Sequence, residues 1–148
     1  MANKPIASRG VKLKYGASAA TTVLYSIIST PDLGGAPEMI DVTTLQDSRS
    51  VGIPGVAGND ALEFGGLMGK YGAPDALDAA LVDEYAALRA LSETTAQYWE
   101  IEWPDGSKDA WQGYPSVRAN GAEVNGALGY TLSIIPITDF TFTAAPST

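Results

Sequence analysis

The chain has 148 residues, 45% hydrophobic and 18% charged, which suits one globular domain spanning residues 1–148 and excludes a disordered or fibrous chain. A net charge of −8 repels a phosphate backbone and so disfavours ordinary nucleic-acid binding. With no cysteine and no histidine, the chain lacks disulfides, thiolate and imidazole metal ligands, and every nucleophile pair that needs a histidine base.

Basic residues cluster at the start: Lys4, Arg9, Lys12 and Lys14 precede the first acid, Asp32, so the remainder is more acidic than the total. The opening residues hold no continuous apolar run, and no segment approaches the ~20 apolar residues of a membrane span. The chain is therefore expected to be made in a cytoplasm and to have no membrane partner. Val11 to Gly16 and Thr21 to Ser29 alternate as strands and predict a hairpin across the Gly-Ala-Ser stretch between them. Pro31, Gly34, Gly35 and Pro37 form a turn cluster, and Met39 to Thr43 reads as the next strand. Thr43 to Asp60 has no clear period and reads as a loop, longer than the ~12–15 residues that compact domains leave without a function.

Ala61 to Gly72 reads as a glycine-softened strand end. Its GGLMGKYG stretch fails as a phosphate loop, because Phe64 replaces the first glycine and Tyr71 the hydroxyl residue. Pro74 to Leu91 changes period: Leu77, Leu81, Tyr85 and Leu88 share one helical face, Asp75 and Asp78 suit the first turn, and Arg89 suits the last. This predicts the one flanking helix. Gln97 to Trp103 alternates strictly, with Trp99, Ile101 and Trp103 opposite Tyr98, Glu100 and Glu102. A PDGS turn and the strands Lys108 to Ala119, Leu128 to Ile135 and Ile137 to Thr143 complete a mainly β chain of about seven or eight strands. Pro115 and Pro136 predict bulges, edges or strand ends.

No catalytic residue, metal site or cofactor is expected. Glu100 and Glu102 stand two apart on one solvated strand face, with nothing to separate their pKa values as acid and base work requires. PDGSKD has too few oxygen ligands for a calcium loop. Trp99, Trp103 and Trp111 suit a core better than a glycan platform.

The order of short patterns carries more than any one of them. Pro31-Asp32-Leu33-Gly34-Gly35, Ile40 to Leu45, Leu62-Glu63-Phe64, Pro104-Asp105-Gly106 and Trp111-Gln112-Gly113 follow one another in a way that resembles the major tail tube proteins of long-tailed bacteriophages. The resemblance covers most of the chain. It implies a β-sandwich or barrel with a flanking helix, in a virion tail protein whose six copies close a ring. Rings stack into the tube through which DNA leaves without specific binding. It also implies tape measure, tail-tip and tail terminator proteins as partners, and no additional immunoglobulin-like domain is expected after the last strand. A long loop after an early strand reaches the next ring in these proteins, so Val51, Ile53, Pro54 and Val56 are expected to make that inter-ring contact. Tyr98, Glu100 and Glu102, with Asp41 and Glu63, are expected to line a polar, acidic channel. Two alternatives fit the same residues: the tube of a contractile injection or secretion apparatus, and a carbohydrate-binding β-sandwich.

Overall fold

The computed structural model describes residues 6, 9–56, 58 and 60–146. In chain order the strands are β1 (Lys12–Gly16), β2 (Thr22–Leu24), β3 (Ile27–Ser29), β4 (Met39–Asp41), β5 (Gly52–Pro54), β6 (Leu62–Leu67) and β7 (Lys70–Tyr71). After these come β8 (Val82–Asp83), the helix α1 (Glu84–Arg89), β9 (Gln97–Glu102), β10 (Lys108–Ala119), β11 (Gly129–Pro136) and β12 (Thr141–Thr143). Eight strands form one sheet in the order β2-β1-β9-β10-β11-β6-β3, with β12 on the first residues of β10; β4 pairs with β5 and β7 with β8 in two small ribbons. The large sheet curls into a half-barrel, which bears out the mainly β expectation.

The curl closes over one face. Register places Trp111 opposite Trp99 and Leu132 opposite Phe64, so the alternating apolar rows of neighbouring strands meet in one layer. Leu13, Phe64, Trp99, Ile101, Trp111, Tyr130, Leu132 and Ile134 are buried there, and Leu88 of α1 packs onto them. The Phe64 and Trp111 rings stack with centroids 6.3 Å apart, and Trp99 Nε1 donates to the Gly113 carbonyl at 3.1 Å. Each such side chain contributes roughly 1.5–3 kcal/mol by leaving water. Trp99 and Trp111 are thus core residues.

The PDGS turn and the full span of β10 match the sequence reading, and Gly106 supplies the left-handed φ of 93° that the turn needs. Pro115 lies beyond Gly113, where the β9 ladder ends, so its missing N–H falls where β10 has a neighbour on one side only. Pro136 closes β11.

Two expectations need correction. The predicted helix over Pro74 to Leu91 shrinks to Glu84–Arg89, preceded by a 3₁₀ turn at Asp78–Ala80. Val82 and Asp83 pair with Tyr71 and Lys70, which commits their backbone to a ladder, and Asp83 caps α1 by accepting from Ala86 N at 3.2 Å. The early part of the helical stripe has no wall to lie against, since Leu77 is 80% exposed; Asp75 and Asp78 therefore precede the helix instead of opening it. The second correction concerns Thr43 to Asp60. Gly52–Pro54 is a strand, Ile53 stands opposite Ile40 and Pro54 opposite Met39, so part of the predicted loop is one arm of a β-hairpin. Ala57 and Asn59 lie outside the described residues.

Candidate assembly surfaces

The hairpin spends its polar groups on itself. Val42 N donates to Val51 O at 3.0 Å, and Val51 N donates to Thr43 Oγ1 at 2.8 Å. Asp47 Oδ2 accepts from Thr44 N at 2.8 Å and from Thr44 Oγ1 at 3.1 Å, which closes the turn. Asp41 accepts from Thr43 N at 2.9 Å, and the Thr43 hydrogen bonds hold its carboxyl below the usual carboxylate range. What remains facing outward is apolar: Met39, Ile40, Val42, Val51 and Ile53 are exposed along the ribbon, with Leu45 fully exposed at its turn and Val56 at 89% beyond β5. Val51, Ile53, Pro54 and Val56 all lie on this exposed surface, as the reading of an outward contact requires. The sequence reading missed Met39, Ile40, Val42 and Leu45. Their signal was a pair of short β-branched runs, Ile40 to Thr43 and Val51 to Pro54, separated by polar turn residues.

Four of the five channel candidates come together. Tyr98 pairs with Gln112, Tyr114 with Ile135, and Ser133 with Glu63, so Tyr98, Glu100, Glu102 and Glu63 share the polar face of the large sheet, opposite the core. Asp41 does not join them, because it belongs to the hairpin. The carboxylates on this face are paired: Lys14 Nζ lies 3.8 Å from Glu100 and 3.5 Å from Glu102, Lys12 Nζ lies 3.8 Å from Glu102, and Arg118 lies 3.7 Å from Glu63. Cross-strand register explains this, since Lys12 stands opposite Glu102 and Lys14 opposite Glu100. The basic residues that follow the start of the chain are thus absorbed into β1, and the face carries balanced charge. A trough of about 520 Å³ crosses it, between Ala19, Tyr98, Glu100, Gln112 and Asp139.

A third feature lies beside the β2 edge. Glu84, buried at the start of α1, accepts from Tyr25 N and Ser26 N at 2.9 and 2.8 Å and from Ser26 Oγ at 2.7 Å, and Ser26 Oγ meets Tyr130 Oη at 2.6 Å. These bonds break the predicted Thr21 to Ser29 strand into β2 and β3, because Tyr25 and Ser26 give their N–H groups to the carboxylate. Burial, with the Glu84 charge beside it, pushes the Tyr15 phenol up; burial also raises Tyr130, against a lowering hydrogen bond from Ser26. Outside the network runs a groove of about 260 Å³, lined by Leu24, Tyr25, Tyr71, Ala76, Ala80 and Val82.

The described residues thus form a curled antiparallel sheet with a short helix and an exposed hairpin. Three solved structures share it across almost the whole chain. A chain of the sheath/tube terminator of PVC, an extracellular contractile injection system, in its extended state superposes with a TM-score of 0.64 at 11% identity, covering 97% of this chain and 100% of its own. A chain of the PVC sheath-tube complex in the extended state gives 0.65 at 11%, with 95% of this chain and 92% of its own covered. A chain of the six-fold symmetrised baseplate of the anti-feeding prophage AFP gives 0.65 at 12%, with 99% and 100% covered. At such identity the likeness is one of fold. No protein-family model and no curated protein sequence matches the chain.

Proposed function

We propose that this chain is the structural subunit of a tail tube, and that self-association is its biochemistry. The observation that carries the proposal is the hairpin: an ordered ribbon whose backbone is internally satisfied and whose apolar side chains have no cover in a single copy. Monomeric proteins rarely present such a surface without a partner. In this reading Val51, Ile53, Pro54 and Val56 contact the next ring, joined by Leu45 and Ile40. The free edges of the large sheet, β2 and β3, pair across subunits to close a ring of six, as edge strands otherwise invite uncontrolled pairing. The polar face carrying Tyr98, Glu100, Glu102 and Glu63 lines the channel. Its balanced ion pairs leave DNA neither a basic track to bind nor a strongly acidic wall to cross. Asp41 sits with the stacking hairpin and not in the channel. Tape measure, tail-tip and terminator proteins are the partners of such a tube in a virion tail.

The fold neighbours favour one setting over another. They come from contractile injection systems, which supports a tube enclosed by a sheath as the second reading beside a long non-contractile tail. Negative-stain microscopy of the purified protein at rising concentration tests the function. Rings or tubes with a central channel are expected, and a protein that stays monomeric at every concentration defeats it.

A further inference from the structure

Resting on the tube reading, we infer that the hairpin of one copy is received by the groove between β2, β8 and α1 of the next copy in the stack. The groove and the hairpin belong to opposite ends of the sheet. Strand β6 starts at Leu62, just after the hairpin, and ends at Leu67, just before β7 and the groove wall at Tyr71; six residues of strand separate the two ends by about 20 Å. A surface at one end and its complement at the other make a heterologous contact, which repeats along an axis instead of closing on itself as a two-fold pair. That is the symmetry a stack of rings requires.

The two surfaces also match in chemistry. Small and aliphatic residues, Ala76, Ala80, Val82 and Leu24, stand in the groove wall beside Tyr25 and Tyr71, and Leu77 is exposed on the same segment, so the groove offers a largely apolar seat to Leu45, Val51 or Ile53. Its rim is acidic. Asp75, Asp78 and Asp83 are exposed and, among the described residues, have no ion-pair partner; Lys70, cross-strand from Asp83, offsets one of them. The hairpin turn brings Arg49, the single base between Lys14 and Lys70 in the sequence, while the neighbouring Asp47 is bound to Thr44. Arg49 thus meets this acidic segment as the apolar ribbon fills the groove.

The chain has no native cysteine, which makes cross-linking specific. One variant carries Leu45→Cys with Ala76→Cys and a second carries Val51→Cys with Ala80→Cys, each treated with a short flexible bis-maleimide under assembly conditions. The expected product is a ladder of dimers, trimers and longer chains from tubes, and none from single-cysteine controls. The two ends of one copy are too far apart for a short internal bridge. Tubes that form without a ladder in either variant overturn the hairpin-to-groove contact and leave the tube reading standing, whereas absence of tubes from the unmodified protein removes both. Charge gives an independent measure. Arg49→Glu is expected to raise the concentration needed for assembly severalfold, and adding Asp75→Lys and Asp78→Lys is expected to bring it back. A rim reversal that fails to rescue Arg49→Glu counts against the contact.

Discussion

The core of the half-barrel and the Met39–Pro54 hairpin are built from the same residue types and treat them in opposite ways. In the core, Trp99, Phe64, Tyr130 and Ile134 are fully enclosed by neighbouring strands; in the hairpin, Ile40, Leu45 and Ile53 stand in solvent on a ribbon that is just as well hydrogen-bonded. Stability of one copy therefore resides in the first region, and the capacity to join copies in the second. The difference is testable because substitutions in the two regions should separate folding from assembly.

The largest effect belongs to the core. Trp99→Ala deletes a ring stacked 5.6 Å from Tyr15 and leaves the Gly113 carbonyl without its donor, so a loss of about 3–5 kcal/mol is expected. Urea unfolding should show the folded baseline shortened or gone. A midpoint close to the unmodified protein's would mean that the core is not the seat of stability.

Next comes the link between helix and sheet. Glu84→Ala leaves the buried Ser26 N and the part-buried Tyr25 N without their acceptor and leaves Ser26 Oγ only Tyr130 as a partner, which costs about 1–3 kcal/mol for each donor that water cannot reach. Thermal melts should place this variant well below wild type, and Glu84→Gln, which keeps an acceptor oxygen, between the two. Equal melts for all three would break the link.

The sequence carried the large sheet well because its signal is local. Gln97 to Trp103 alternates strictly, and a one-residue slip would expose its tryptophans, so period alone told which face of that strand is buried. It failed where tertiary contacts outweigh local preference. The stripe of Leu77, Leu81, Tyr85 and Leu88 is as helical as any in the chain, yet pairing of Val82 with Tyr71 and the Asp83 cap limit the helix to its second part. Nor does any pattern in the sequence tell that Glu84, nominally a surface position on that helix, reaches across to Ser26, nearly sixty residues earlier. For the assembly surfaces, the four apolar residues of the loop were legible as a dry patch in polar surroundings, while the pairing of Glu100 and Glu102 with lysines of β1 depended on a register that only the fold reveals.

A smaller effect, and one of pH, also belongs to the enclosed region. Burial raises the phenols of Tyr15 and Tyr130 above their ordinary value, with the Glu84 charge adding to both. A raised folded pKa means that the neutral form is favoured in the fold. The stabilisation is complete below about pH 10, where the unfolded chain also holds its proton, and is lost as the unfolded chain ionises first at higher pH. Denaturant midpoints should therefore fall above pH 10, and Tyr15→Phe should flatten that fall. An unchanged slope in the variant would remove Tyr15 from the account.

The smallest expected effect on a single copy sharpens the comparison most. Ile53→Ser together with Leu45→Ser replaces one side chain about half in water and one fully in water, away from any buried hydrogen bond, so the stability of the monomer should fall by no more than about 1 kcal/mol. Within the copy the substitution disrupts the cross-strand pair of Ile40 with Ile53, and such pairs contribute about 0.2–1 kcal/mol. In an assembled stack the same two side chains would each be worth roughly 1.5–3 kcal/mol when fully covered, and the loss recurs in every copy of every ring. A change this small in the melt should then abolish tubes in sedimentation at the concentration where the unmodified protein forms them. Should the doubly substituted protein sediment as normal tubes, the exposed ribbon has no part in stacking; should it unfold instead, the hairpin belongs to the core after all and the contrast between the two regions collapses.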